Sequence, residues 1–456
     1  MSSKEQRGGY LYGWGMAKNG CLPVSRTAID KSGDCCFPAR IQFDKGVASK
    51  TTKFITISAD IGIFAAIDTE NNLYGWGTER SFLGCVPTRL LDGVVDVEVG
   101  DDFIVALRID NIAYVSGNSP LVIEDALTSA SATSISKERW YAVLDVPNVI
   151  QVAACNSTAI LLTIEGTVYS VGDSLTNGIG APTKIFQRVE MPLVSFVALG
   201  SCHGAAIGIG SEGLFVWGEG YSGCLGIGRR IAYVPTPVEC TFFRENGMLL
   251  QSVACTRGQP HPKRIMKPYS AGQEGSRTQV VTVDGTLWIS GTAHKGLACD
   301  HLYKVMNPQR DHYVFYRVGS QAADILSNVR AMTGAAEDIA TLPSNSAARM
   351  GMNDSVLFGL EGNTNYLSNC RIVRSCAAHI HSLALSASGE LFSWGCGSDG
   401  RTGLAAYMRG PRGSKRTLKC YVSSPSHVES LEGHKVLYAA VGRYWSFAIV
   451  AEELLN

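Results

Sequence analysis

Short apolar, β-branched runs alternate with acidic or glycine-bearing turns along nearly the whole chain. Runs such as "FIVALR", "AILLT", "AAIGI", "TQVVTV" and "SLALS" are followed by the turns "RIDN", "TIEGT", "GSEG", "TVDGT" and "SASGE", and each turn leads into a second apolar run that ends in Gly. Two strand-like runs joined by an Asp/Asn/Gly-rich turn predict a β-hairpin. Ahead of the hairpin stands a further run that ends in a small residue: "VVDVEVG", "VIQVAAC", "SFVALG", "LLQSVAC" or "VLYAAVG". Pro-marked stretches, "VPTRLL", "APTKIF" and "VPTPVE", suggest a fourth strand, so the repeating unit has at least three strands and is completed by a fourth.

Aligned on their final Gly, the hairpin endings are "LYGWG" at Gly15, "LYGWG" at Gly77, "AYVSG" at Gly117, "VYSVG" at Gly172, "LFVWG" at Gly218, "LWISG" at Gly291 and "LFSWG" at Gly395, which makes seven copies. A four-stranded sheet repeated around a ring is a β-propeller blade, and the ring removes most of the edge that an open stack would expose. The expected fold is all-β: a seven-bladed propeller of four-stranded blades spanning 1–456 as one domain. Its Gly residues belong where Cβ atoms collide or φ turns positive, and Trp14, Trp76, Trp217, Trp288 and Trp394 serve as apolar plates between blades. The C-terminal "VLYAAVGRYWSFAIV" has the early strands of a unit and no final one, whereas the N-terminus opens on a final strand. Pairing them closes the circle. An eighth copy, "SVLFG" at Gly359, lacks a Pro-marked strand before Gly395 and reads as part of an insertion, with eight blades kept as the alternative.

Composition narrows the function more than the fold. Formal net charge is zero and the pI is about 7.1, so no global imbalance points to nucleic acid or anionic lipid. The N-terminal "MSSKEQRGGYLYGWG" has no signal-peptide core, and no apolar run approaches a membrane span. An intracellular, cytoplasmic protein without a membrane partner is expected. The 14 cysteines are scattered with no Cys-x-x-Cys and read as reduced core thiols.

The repeat resembles that of the regulator-of-chromosome-condensation family, whose unit pairs a His-bearing strand with an aromatic strand ending in Trp-Gly. The matches are "SCHGAAIGIGSEGLFVWGEGYSGCLGIG" at 201–228 and "CAAHIHSLALSASGELFSWGCGSDGRTGL" at 376–404. The resemblance implies a seven-bladed propeller. It also implies functions that run from guanine-nucleotide exchange on a Ran-type small GTPase, through ubiquitin-ligase and kinase appendages, to cytoskeletal or ciliary scaffolding and light sensing.

Apparent catalytic signals fail on context. The Gly-x-Gly-x-x-Gly matches at Gly208, Gly218 and Gly395 lie at strand turns or after Trp-Gly, where no helix N-terminus is expected to receive a pyrophosphate. His379 and His381, two apart in one strand, and His203 at the same register read as packing residues. His294, His301 and His312 with Cys299 and Asp300 fit no zinc spacing and read as a loop. No enzyme, cofactor or metal is assigned. Departures from the repeat are richer: insertions near 256–277, 299–352 and 401–424. The first carries Arg257, Lys263, Arg264 and Lys267; the second contains the aromatic "HYVFYRVG"; the third carries Arg401, Arg409, Arg412, Lys415, Arg416 and Lys419 and no acid. Loops on a rigid ring are natural contact surfaces. The candidate partner-binding residues are Lys263, Arg264, Lys267 and the six cations of the third insertion. The expected function is a non-catalytic scaffold that meets acidic protein surfaces, such as tubulin in a cytoskeletal or axonemal assembly, with exchange on a Ran-type GTPase as the alternative.

Overall fold

The computed structural model describes residues 8–18, 20–117, 140–211, 213–258, 276–292, 312–318, 367, 370–404 and 421–454. These form seven antiparallel four-stranded sheets. Counting outward from the axis, blade 1 is Phe54–Ala59, Ile63–Asp68, Asn72–Gly77 and Thr88–Asp92. Blade 2 is Val94–Val99, Phe103–Arg108, Ala113–Gly117 and Tyr141–Val143. Blade 3 is Val149–Cys155, Thr158–Thr163, Val168–Gly172 and Thr183–Arg188. Blade 4 is Val194–Leu199, His203–Gly208, Leu214–Glu219 and Tyr233–Cys240. Blade 5 is Leu250–Cys255, Arg277–Thr282, Leu287–Gly291 and His312–Arg317. Blade 6 is Ile372–Ala377, His381–Ser386, Leu391–Cys396 and Tyr421–His427.

Blade 7 closes the ring. Its two inner strands, His434–Val441 and Trp445–Leu454, come from the C-terminal part of the chain, and its third and outer strands, Tyr10–Met16 and Asp34–Arg40, from the N-terminal part. Tyr10 through Gly15 pair antiparallel with Val450 through Trp445. Each inner strand packs against the inner strand of the next blade around the whole circle, including blade 7 against blade 1 and blade 5 against blade 6. That continuity leaves no gap for an eighth blade, so the eight-blade alternative is overturned; the "SVLFG" copy itself lies outside the described residues.

The local pattern follows from position in the blade. Second strands such as Ile63–Asp68 and His381–Ser386 are buried at every residue, because a neighbouring blade covers each face. Outer strands such as Thr183–Arg188 are mostly exposed. The acidic turns work as hydrogen-bonded corners: Asp68 Oδ1 accepts from the amides of Glu70 and Asn72, while Asn71 takes φ of 65°. The Gly that ends a third strand is also required. Gly172 has φ of +121°, and a Cβ there would lie 2.2 Å from the Ser157 carbonyl oxygen. The Trp side chains lock blades together: Trp76 Nε1 donates to the Cys21 carbonyl (3.1 Å) and Trp217 Nε1 to the Thr176 carbonyl (2.7 Å), each in the preceding blade's third-to-outer connection.

Candidate functional site

All seven inner strands carry a register shift, at the second residue in blades 1 to 6, as at Phe54/Thr56 in blade 1, and two residues later, at Val436/Tyr438, in blade 7. A bulge turns the following side chain out of the ladder. Here it aims Thr56, Asp96, Gln151, Phe196, Ser252, Arg374 and Tyr438 toward the axis, where they line a cavity of about 530 Å³ shared by every blade. Several also join neighbouring inner strands. Asp96 Oδ2 accepts from the Val152 amide (3.1 Å), and Gln151 both donates to the Val197 carbonyl and accepts from its amide. Arg374 donates to the Ala439 carbonyl (3.2 Å) and to the Tyr438 hydroxyl (2.6 Å), with its guanidinium 3.9 Å from the Tyr438 ring centre. Burial and the neighbouring Glu98 push the Asp96 carboxyl up to about 7.

Arg257 closes one end of this channel. It follows the inner strand of blade 5, yet it donates across the ring to Glu98 Oε2, to the Val99 carbonyl (2.6 Å) and to the Ala154 carbonyl (3.0 Å), and lies 3.8 Å from Asp60 Oδ2. Burial alone would lower the Arg257 guanidinium, but the Glu98 and Asp60 charges outweigh it and hold it above its ordinary value. Asp60 is fully buried and shifted upward by desolvation, against the pull of Arg257. Its Oδ2 accepts from the Cys155 thiol (3.2 Å), which burial and Asp60 raise well above the usual thiol range. A thiol so raised is a poor nucleophile. The cluster is a structural bracket between blades 1, 2, 3 and 5. Arg257 was read as one more insertion cation, and that reading is corrected: its backbone amide donates to the Ala377 carbonyl (3.0 Å), which fixes it at the axis. The available signal was positional, since residues just past an inner strand are polar in several units (Asp60, Asp101, Asn156, Ser201).

The histidines latch one blade to the next. His203 Nε2 lies 2.8 Å from Thr278 Oγ1, and because that hydroxyl donates to the Cys224 carbonyl, the imidazole N–H must be the donor. His381 makes the same contact with Ser446 Oγ (2.9 Å), whose proton goes to the Arg401 carbonyl. Arg277 occupies the equivalent place in blade 5 and reaches Ser382 Oγ (2.8 Å). His379 does not share a strand with His381 as expected; it lies in the turn before it. His312 opens the outer strand of blade 5, so the 299–352 insertion contains a blade strand rather than loop alone. His294, Cys299, Asp300 and His301 lie outside the described residues. Among the described residues, no group of three His, Cys, Asp or Glu side chains is placed to hold a metal.

Because strands alternate in direction, first-to-second and third-to-outer connections emerge on one face of the ring, here the upper face, and the remaining connections on the lower face. Gly258 and Ser276, which flank 259–275, lie on the upper side of blade 5; Leu404 and Tyr421, which flank 405–420, lie on the upper side of the adjacent blade 6. Lys263, Arg264 and Lys267 fall in the first interval, and Arg409, Arg412, Lys415, Arg416 and Lys419 in the second, all outside the described residues. Arg401 is different. It is 1% exposed, donates to the Arg443 carbonyl (3.1 Å) and to Asp399, and lies 4.9 Å from the Tyr444 ring centre. It belongs to the packing between blades 6 and 7, and its assignment as a contact residue is corrected.

A model of the regulator of chromosome condensation (RCC1) repeat matches residues 388–449. The human E3 ubiquitin-protein ligase HERC2 is 25% identical over 345 residues, covering 72% of this chain but 6% of the ligase, and the Arabidopsis thaliana ultraviolet-B receptor UVR8 is 26% identical, covering 56% of this chain and 54% of the receptor. This chain thus spans only a small part of the HERC2 ligase it matches. Among solved structures, Saccharomyces cerevisiae Prp20p superposes with a TM-score of 0.67 at 15% identity over 99% of this chain and 92% of that one. Human WBSCR16 gives 0.63 at 16% identity over 98% and 100%. With the repeat, the closed seven-bladed ring and these relatives in agreement, the chain is an RCC1-like β-propeller.

Proposed function

We propose that this propeller is a non-catalytic protein-interaction module whose upper face, at blades 5 and 6, binds an acidic protein surface inside the cell. One observation carries the reading: the intervals that hold Lys263, Arg264 and Lys267 and Arg409 through Lys419 are anchored on adjacent blades of the same face. Rigid rings commonly present partner contacts on such connections. The buried, high-pKa thiol beside the axis and the neutral, bonded histidines between blades support a structural rather than a catalytic role for these groups. Tubulin and an axonemal complex have no support among the relatives described above, so the partner class is kept at an acidic protein surface. Cosedimentation of the full chain with microtubules, and anisotropy with a labelled acidic peptide, test it. The triple variant Arg412→Glu/Lys415→Glu/Arg416→Glu is expected to lose binding, and unchanged binding to every acidic probe overturns the reading.

A second reading rests on the superposition with Prp20p, whose structure is described together with its binding to Gsp1p and histones. It holds that this chain engages a Ran-type GTPase. Release of labelled GDP from such a GTPase, specific to it and dependent on this protein, would replace the scaffold reading.

A further inference from the structure

The lower face is divided in a way the repeat does not require. In blades 1 to 6 the residue after the second strand donates its amide to the residue before the first strand, as in Ile109 to Gly93 (2.8 Å), Ile164 to Asn148 (2.9 Å), Ile209 to Leu193 (3.1 Å) and Val283 to Leu249 (2.9 Å). The next blade is tied on by the second-to-third turn, as where Val149 donates to Asn111 and Val194 to Gly166. These bonds make the lower rim one continuous surface. In blades 2 to 5 the repeated position holds Ile109, Ile164, Ile209 and Val283, which are 63%, 66%, 58% and 44% exposed. Leu193 and Leu249, at the facing position of blades 4 and 5, are also exposed. The same two positions in blades 6 and 1 carry Ala387 with Arg371 and Thr69 with Lys53. The register therefore tolerates small or polar residues, and folding does not demand aliphatic ones. An apolar arc of this extent on one face, without a folding reason, marks a contact surface.

Charge sets the identity of what covers it. Asp145, Glu165 and Glu190 are exposed along the arc and form no ion pair among the described residues. Asp110 and Asp284 add charge at the second-to-third turns of blades 2 and 5, although Asp110 meets Arg108 (3.3 Å), Asp284 lies in the field of Arg317, and Arg371 donates to the Val283 carbonyl (3.2 Å) where the arc ends, so the acidic stretch is centred on blades 3 and 4. Alternating aliphatic and acidic positions complement a segment that alternates apolar anchors with Lys or Arg. Acids repel an anionic bilayer surface, and laying the arc on its own copy about a two-fold axis would bring acids against acids. We infer that the lower face of blades 2 to 5 is a docking site for a basic, amphipathic segment of a partner protein. The site lies on the opposite face from the basic connections and does not depend on them.

The test uses the full chain and a labelled amphipathic Leu/Lys peptide, followed by fluorescence anisotropy. Binding to the wild type is expected, weakened about tenfold by Ile164→Asn/Ile209→Asn. Glu165→Gln/Asp145→Asn should weaken binding and flatten its salt dependence. Ile185→Asn, at an exposed isoleucine on the outer strand of blade 3, should leave it unchanged. Circular dichroism confirms that each variant is folded. No binding to the wild type, equal loss in Ile185→Asn, or equal binding of a Leu/Glu peptide overturns the inference. So does a dimer in sedimentation velocity that Ile164→Asn/Ile209→Asn abolishes, which makes the occupant a second copy. Binding seen only after residues 320–365 are replaced by a Gly/Ser linker also overturns it, because the occupant is then this chain's own segment.

Discussion

His203 shows how a repeat residue can be titratable and still be held neutral. Its Nε2–H is committed to Thr278, and its Nδ1 has no partner among the described residues, so a second proton would be buried without an acceptor. Burial pushes the imidazole from its ordinary 6.5 down to about 3, and burial together with Arg401 and Arg277 holds His381 well below its ordinary value as well. The folded value lies below the unfolded one, so each His contributes stability that is complete above about pH 6.5 and drains away as pH falls toward the folded value. For His203 the loss reaches about 3 kcal/mol by about pH 4. Urea unfolding of the wild type and His203→Gln across this range is expected to converge as pH falls, because the variant keeps the hydrogen bond to Thr278 without the titration. A constant gap between the two would show that the imbalance lies elsewhere. The His positions were legible in the sequence as packing residues because they recur at one register. Arg257 was not: its role depends on Glu98 and Ala154, residues more than a hundred positions earlier, and a local string gives no hint of a side chain that crosses the ring.

Strands were legible in proportion to how completely their neighbours bury them. Inner, second and third strands carry apolar runs because blades cover both faces, and their boundaries match "VIQVAAC", "AILLT" and "VYSVG" closely. Outer strands meet solvent on one side, so their pattern is fainter; those of blades 1, 3 and 4 were flagged by Pro, whereas Tyr141–Val143 carries no such mark. His312–Arg317 is apolar enough, but the long interval after Gly291 broke the expected spacing and made it look like an insertion. The Gly that ends the third strand offers a sharp test of element geometry. Gly172→Ala places a Cβ against the Ser157 carbonyl in a left-handed backbone, and is expected to cost about 2–4 kcal/mol in denaturant unfolding. Gly228→Ala also sits at a positive φ, +82°, nearer the ordinary left-handed region and with open space around it, and should cost about 1 kcal/mol. Equal losses would mean that backbone conformation alone selects Gly at these corners and that the close carbonyl is irrelevant.

At the scale of the molecule, a ring stores its cooperativity in the joint. Every blade but the seventh is continuous in sequence, so only blade 7 must bring distant parts of the chain together, and its pairing of Tyr10–Gly15 with Trp445–Val450 carries that burden. Trp445 reinforces it by donating Nε1 to the Met16 carbonyl (2.6 Å), and Phe64 of blade 1 packs edge-on to Trp445 at 5.0 Å, which ties the joint to the neighbouring blade. The sequence made this closure legible because the missing strand at one end matched the surplus strand at the other. It could not make the two faces legible, since the upper basic connections and the lower aliphatic arc gather residues from several blades only after the circle has formed. The joint therefore predicts how the ring fails. Removing residues 1–40 strips the third and outer strands from blade 7 and leaves the buried, apolar Trp445–Val450 segment as an open edge. Size-exclusion chromatography should then show self-association, and denaturant unfolding a broader, earlier transition than the full chain gives. A synthetic peptide of residues 8–41 added in trans should restore the monomer, because it supplies the same edge-capping strands without covalent continuity. If the truncated chain stays monomeric with an unchanged transition, closure is not the source of cooperativity, and stability must reside in the individual contacts between adjacent blades.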